Sequence, residues 1–313
     1  MKYCPITWEL INDNMTYSIA GLRKLSPQLT NLLPLIYSAK QQRAEAIARA
    51  GKMSIQGVQP KLSAGLNVKQ GCFDIVSQQG QFILKPQSEW FAELPENEAI
   101  TMSMAASIDI NIPVHGLIPA SDGSWTYFIK RFDRHGRHHQ KIAVEDFAQL
   151  SLASRDSKYD SSMEKVAKLI REYCTFPILE ALKLFKLTLF NFLVGNEDMH
   201  LKNFSIILEQ NQIIQLAPGY DLLNTTIAQA NTKEELALPL NGKKNNLTFK
   251  DLCVYFPLDV LCLNKTVTQQ VIQQIYNAVP IWVDLISRSY LSQDMQKKYY
   301  DLLKQRAKRL NIN

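Results

Sequence analysis

The sequence predicts an α+β protein of two lobes, β-rich in its first half and helical in its second. Three observations carry this. Between residues 62 and 130, apolar residues alternate or cluster in short runs broken at Gly71 and Gly80, the pattern of strands joined by tight turns. From Glu145 onward they recur with helical period. A chain of 313 residues, 46% hydrophobic and 20% charged, has core enough for one large or two modest domains. The boundary expected is after Asp133, giving lobes 1–133 and 134–313.

Composition narrows the class. The five cysteines, at 4, 72, 174, 253 and 262, are odd in number and include no Cys-x-x-Cys pair. That excludes a disulfide framework or a zinc ribbon, and a reducing cytoplasm is expected. The opening Met1-Lys2-Tyr3-Cys4-Pro5 has no signal-peptide pattern. The most apolar stretch, Thr175 to Gly195, is interrupted by Glu180, Lys183 and Lys186, so a buried helix and no membrane span is expected. The net charge of +6 is mild and no basic patch stands out, so direct DNA binding is not expected.

Residues 1–30 are mixed in character and show no role. Residues 36–50, rich in Ala, Gln and Arg, read as a polar helix with Gly51 as C-cap. The polar stretch Met53 to Ser63 follows, with Ser54, Gln56 and Gly57 near its start. Strands are expected over 62–68, 73–77 and 81–85, the last ending in Lys85-Pro86. A helix over 96–107 brings Glu98, with Glu96 as the competing carboxylate, to the lysine. Strands over 111–114 and 125–129 close the sheet. Lys130-Arg131-Phe132-Asp133-Arg134 then forms a hinge whose backbone can read an adenine edge. Helices are expected near 144–152, 161–173, 178–194, 249–255, 267–277, 281–290 and 293–309, with a small ribbon from 204–208 and 213–216. His135, His138 and His139 lie in a polar loop that reads as solvated rather than metal-binding.

Chemistry concentrates after the long apolar helix, in Gly195-Asn196-Glu197-Asp198-Met199-His200-Leu201-Lys202-Asn203-Phe204-Ser205. A strand lysine, an aspartate, an asparagine five positions on and a later aspartate, Asp221, are the parts of a protein-kinase-type phosphotransferase in their order. Phosphoryl transfer needs charge neutralised and groups held in line more than covalent help. Asp198 is placed to accept the proton of the attacking hydroxyl, and Lys202 to hold the moving phosphate. Asn203 and Asp221 offer hard oxygen ligands suited to Mg²⁺. Lys85 suits the phosphates of ATP, with Glu98 to aim it. Lys130, Phe132 and His200 are further candidate nucleotide contacts, as are Ser54, Gln56 and Gly57 in the position of a phosphate-covering loop.

The chain resembles the HipA-like serine/threonine kinase toxins of bacterial toxin–antitoxin systems. The likeness rests on Ser54 to Lys61, Phe82 to Pro86, Glu96-Asn97-Glu98, Val114-His115-Gly116, Arg131 to Arg134, the Gly195–Phe204 block and Pro218-Gly219-Tyr220-Asp221. Within the family it looks most like the short HipT toxins, because the residues before Ser54 leave no room for the β-rich subdomain that opens longer members. The resemblance implies Asp198 as base, Asp221 and Asn203 as Mg²⁺ ligands, Lys85 on phosphate and autophosphorylation at Ser54. A second serine found two positions later in such toxins is Gln56 here. It also implies an aminoacyl-tRNA synthetase as substrate, a small antitoxin resembling the missing subdomain, and a separate helix-turn-helix DNA-binding protein. A small-molecule kinase of the aminoglycoside-phosphotransferase type and an inactive kinase-fold scaffold remain the alternatives.

Overall fold

The structure, a computed structural model, describes residues 1–49, 59–136, 140–152, 158–209, 211–229 and 234–311. Two compact units emerge. One holds Met1–Ile100, Pro113–Gln140 and Leu285–Ser292; the other holds Thr101–Ile112, Lys141–Asp284 and Gln293–Asn313. The single cut expected after Asp133 is thus replaced by an interleaved division, in which 101–112 and 285–292 each belong with residues distant in sequence.

In the first unit, β1 (Lys2–Tyr3) and β2 (Leu10–Ile11) form a short antiparallel pair leading into α1 (Ile19–Leu25). Ser18 caps α1, its Oγ accepting from the Gly21 amide at 3.0 Å. Then come α2 (Ala39–Arg49), β3 (Leu62–Asn67), β4 (Cys72–Ile75) and β5 (Phe82–Pro86). Next are α3 (Leu94–Ala106), β6 (His115–Pro119) and β7 (Trp125–Lys130). Strands β3 to β7 build one antiparallel sheet in the order β4-β3-β5-β7-β6. Register brings Leu62 opposite Leu84 and Leu84 opposite Phe128, so large apolar residues line up on one face. That face shares a core with Ile6, Leu22, Leu25, Leu29 and Leu32. The first 35 residues therefore cover the sheet. Each Leu or Phe so buried contributes about 1.5–3 kcal/mol of transfer energy.

The strand expected over 111–114 begins instead at His115. Pro113 has no amide to donate to a ladder. Asn111 and Ile112 belong to the second unit, where the Asn111 carbonyl accepts from the Gly219 amide at 2.8 Å.

A short pair, β8 (Arg134–His135) with β9 (Gln140–Lys141), follows. The second unit continues with β10 (Val144–Asp146), α4 (Phe147–Leu150), α5 (Met163–Tyr173) and α6 (Pro177–Val194). Then come β11 (Ser205–Leu208), β12 (Ile214–Leu216), α7 (Thr225–Ala228), a π-helical segment over Lys250–Val260, α8 (Lys265–Arg288) and α9 (Gln293–Arg309). Two expectations are corrected here. The helix expected over 144–152 splits into β10 and the short α4, because Val144–Asp146 pair with Ser205–Ile207 and turn the two-stranded ribbon into three strands. The helices expected over 267–277 and 281–290 are one, running through Pro280. Ile275, Ala278 and Trp282 are buried along it, and the Trp282 indole donates to Ser107 Oγ at 2.8 Å. Packing of this kind outweighs a cost of about 3 kcal/mol for an interior proline.

Among the described residues no helix is long and apolar enough to cross a membrane.

Candidate functional site

The first unit supplies a buried ion pair. Lys85 lies on β5, between β3 and β7, and only 4% of it is exposed. Its Nζ is 2.6 Å from Glu98 Oε1 and 5.6 Å from the centre of the Tyr127 ring. Of the two carboxylates expected to compete for it, Glu98 makes the pair. Glu96, two residues earlier, points to another side of the helix, and its buried Oε2 has no hydrogen-bond partner among the described residues. Burial, reinforced by Glu93, pushes the Glu96 carboxyl up to about 7.

The raised carboxyl makes stability depend on pH. A group moved from 4.5 to about 7 in the folded chain contributes stability that is present below the lower value. That stability is lost as pH rises through the upper value, at about 1.4 kcal/mol for each pH unit between the two. Glu96→Gln is therefore expected to raise the unfolding free energy by about 3–4 kcal/mol at pH 8 and hardly at all at pH 4. Denaturant titrations of both proteins at the two pH values check it; an equal effect at both would refute the assignment.

At the other end of the sheet, the Lys130 side chain is exposed and Phe132 is half-buried. The amides of Lys130 and Arg131 donate to the carbonyls of Val114 and Gln81, both at 2.7 Å. Arg131 and Arg134 both hold Asp133, at 2.7 and 2.6 Å. Ser54, Gln56 and Gly57 lie outside the described residues, as do His138 and His139.

The second unit supplies the loop after α6. Pro177 opens this helix at a position where its missing amide costs nothing. Gly195 ends it at φ 75°, a left-handed conformation that suits glycine. A Cβ there would lie 2.7 Å from Asn224 Oδ1 and 2.8 Å from Thr226 Oγ1. The chain thereby turns directly into Asn196-Glu197-Asp198. Asp198 is fixed by its backbone. Its amide donates to Asn196 Oδ1 at 3.3 Å, and its carbonyl accepts from the His200 amide at 2.9 Å and from Asn203 Nδ2 at 2.7 Å. The carboxylate itself is half exposed, its side chain 51% accessible, and Oδ1 accepts from the Tyr159 hydroxyl at 2.6 Å. Because Nδ2 of Asn203 is spent on the Asp198 carbonyl, Oδ1 is the atom that amide has left for a ligand.

Lys202 Nζ lies 3.6 Å from Asp146 Oδ2. His200 is buried, with Nε2 at 2.8 Å from Lys158 Nζ and 4.0 Å from Asp198 Oδ1. Burial lowers its pKa despite the opposing pull of Asp198. Asp221 has φ 54°, left-handed backbone that aspartate tolerates better than most residues. The preceding Tyr220 anchors this turn to the loop, its hydroxyl donating to the Lys202 carbonyl at 2.8 Å and lying 2.6 Å from Ser205 Oγ. The structure thus gathers Asp198, His200, Lys202 and Asn203 on one short loop and ties Asp221 to it through its neighbour.

Two contributors escape sequence reasoning. Tyr159 lies in the polar run Lys158-Tyr159-Asp160, which carries no signal. Arg306 belongs to the basic stretch Lys297 to Arg309, yet only 4% of it is exposed. Its guanidinium donates to the Phe192 carbonyl at 2.6 Å and to Glu197 Oε1 at 2.8 Å. Thr226 Oγ1 meets the same carboxylate at 2.7 Å. Its neighbour Arg309 pairs with Glu235. A signal was available: Met295, Tyr299, Leu303 and Arg306 follow one another at core-face helical spacing.

Comparison with known proteins gives the family and the fold. The HipA-like C-terminal domain matches residues 53–283. A Haemophilus influenzae protein carried under a provisional kinase name is 30% identical over 264 residues, covering 78% of this chain and 75% of its own length. The serine/threonine-protein kinase toxin HipA of Shewanella oneidensis is 26% identical over 210 residues, 61% of this chain and 47% of that protein. A solved complex of Shewanella oneidensis MR-1 HipA with HipB and operator DNA contains a chain that superposes with a TM-score of 0.70 at 20% identity, covering 96% of this chain and 80% of that one. The chain belongs to the HipA-like family, and its α+β fold is that of the HipA kinases. It spans about half the length of three of the curated relatives it matches.

Proposed function

We propose that the chain is a serine/threonine protein kinase that uses ATP and Mg²⁺ and serves as the toxin of a toxin–antitoxin system. The observation that carries this is the Asp198–Asn203 loop. It presents a half-exposed carboxylate with a hydroxyl donor already on it, beside an amide oriented so that oxygen is its remaining ligand atom. Asp198 is the base: the attacking hydroxyl forms the new oxygen–phosphorus bond, its proton passes to the carboxylate, and the bond to ADP breaks. Lys85 neutralises phosphate charge, and Glu98 keeps its ammonium aimed. Asn203 and Asp221 suit Mg²⁺ as hard oxygen donors. No group of three or more His, Cys, Asp or Glu that could hold a metal occurs among the described residues. One carboxylate and one amide fit an ion that takes its other ligands from phosphate and water. When bound, Mg²⁺ supplies charge neutralisation at the phosphates.

The family resemblance extends the reading to an aminoacyl-tRNA synthetase as substrate, autophosphorylation at Ser54 and action in the cytoplasm. The HipA structure with HipB and operator DNA supports a DNA-binding antitoxin partner for this chain too. Incubation of the chain with labelled ATP, Mg²⁺ and a panel of purified synthetases, followed by mass spectrometry, tests it. Label is expected on Ser54 and on one synthetase. A parallel incubation with an aminoglycoside in place of the synthetases covers the alternatives: label confined to the aminoglycoside would give the small-molecule kinase instead, and no transfer to any acceptor would leave a scaffold.

A further inference from the structure

The carboxylate read as the base is not presented to solvent alone. Tyr159 lays its hydroxyl 2.6 Å from Asp198 Oδ1, within the reach that a base needs to the proton it accepts. The same phenol ring stands edge-on to His200, with centroids 5.0 Å apart and planes at 82°. Lys158 Nζ lies over it at 4.8 Å and Lys244 Nζ at 5.9 Å. The run holding Tyr159 is also pinned by its backbone, the Lys158 carbonyl accepting from the Leu201 amide at 3.3 Å. All these groups belong to the second unit.

Two roles are open to a hydroxyl in this position. It can orient the base, or it can stand where an acceptor hydroxyl must stand. The geometry favours the second. Asp198 needs no orienting partner for its backbone, which Asn196, His200 and Asn203 already hold through main-chain atoms. The Tyr159 anchors are ring contacts worth about 0.5–1 kcal/mol each at exposed sites, and 38% of the residue is exposed. Such a side chain can swing away. Burial and the hydrogen bond to Asp198 hold its phenol well above its ordinary value, so it stays a donor.

We propose that Tyr159 occupies the acceptor-hydroxyl subsite of Asp198 as a built-in competitor, and that an incoming hydroxyl must displace it before transfer. This rests on Asp198 being the base. While Tyr159 is in place, the base is engaged and the acceptor position filled. Once it leaves, a serine or threonine hydroxyl, or water, takes the carboxylate. With water the sum is ATP and water giving ADP, phosphate and a proton. The oxygen–phosphorus bond forms from water, the bond to ADP breaks, and the proton passes through Asp198 to solvent.

The test measures ATP hydrolysis and phosphorylation of dephosphorylated casein, both with Mg²⁺, by the full-length chain and by Tyr159→Phe. The Phe ring preserves the contacts with His200 and Lys158 and removes only the hydroxyl. Tyr159→Phe is expected to raise kcat for both reactions about tenfold and to leave KM for ATP within about twofold. A variant that is unchanged or slower overturns the proposal, a slower one marking Tyr159 as an orienting residue. Silence in both the wild type and the variant overturns it as well, since removing the competitor would then release nothing. Tyr159→Leu, which also lacks the hydroxyl, replaces the Phe variant if that chain fails to fold. Asp198→Asn run in parallel separates the two ideas. If the wild type turns over ATP and Asp198→Asn matches its rate, the base assignment has failed. If Asp198→Asn is silent while Tyr159→Phe gains nothing, only the role of Tyr159 has failed.

Discussion

Replacing Asp198 with Asn is expected to slow phosphoryl transfer by a factor of about 10²–10⁴ and to leave the thermal unfolding midpoint unchanged. The two halves of that expectation have separate causes. Asparagine keeps the shape of the side chain but cannot take a proton at working pH, so the hydroxyl must attack without a base. The fold keeps its supports because the bonds from Asn196, His200 and Asn203 reach the main chain of Asp198, not its carboxylate. Half of that side chain faces solvent, so no buried charge is gained or lost. Single-turnover transfer from labelled ATP, with a melting curve on the same sample, checks both. Transfer within about tenfold of the wild type would remove Asp198 from the role of base.

Lys85→Met is expected to act on stability and activity together, and a second substitution pulls the two apart. The side chains of Lys85 and Glu98 are 5% and 2% exposed, so removing the ammonium takes away the cation paired with a buried carboxylate. That costs about 3–5 kcal/mol. Adding Glu98→Leu takes the carboxylate away as well, and a buried ion pair exchanged whole for apolar residues is often neutral or stabilising. The double variant is therefore expected to unfold at a denaturant midpoint close to the wild type and still to transfer no phosphate, because no cation is left there to neutralise the nucleotide. Denaturant titration alongside the transfer assay decides it. A double variant that transfers at the wild-type rate would mean that another cation serves the phosphates.

What the sequence made legible follows from how far each feature depends on distant contacts. The order Lys85, Asp198, Asn203, Asp221 can be read directly, because the loop spacing between Asp198 and Asn203 is local. Helices such as α6 and α9 could be located from their own periodicity, nearly to the residue. Val144–Asp146 misled because a three-residue strand is made by its partner: only Ser205–Ile207, some sixty positions on, turns that segment away from helix. Pro280 misled in the opposite way, since a local rule for breaking helices gave way to burial on both sides of it. Glu98 against Glu96 was undecidable from the chain alone, as both sit near the start of α3 and only its rotation against the sheet selects one. Tyr159 was invisible for the simplest reason. Nothing in Lys158-Tyr159-Asp160 distinguishes it from any solvated loop.

Arg306 sets an order of events in biosynthesis. The ribosome makes Phe192 and Glu197 more than a hundred residues before it makes the guanidinium that joins them. Until α9 has left the ribosome and docked, Glu197 is a carboxylate without that cation, and the loop that carries Asp198 lacks its floor. Domains generally fold as units during synthesis, the earlier part first, and here an earlier part holds the chemistry while a later part supports it. A nascent chain of this protein therefore carries every residue of the Asp198–Asp221 set before it has the helix that holds their loop in place. On the function proposed above, a growing polypeptide lacks the support of its catalytic loop until α9 has docked.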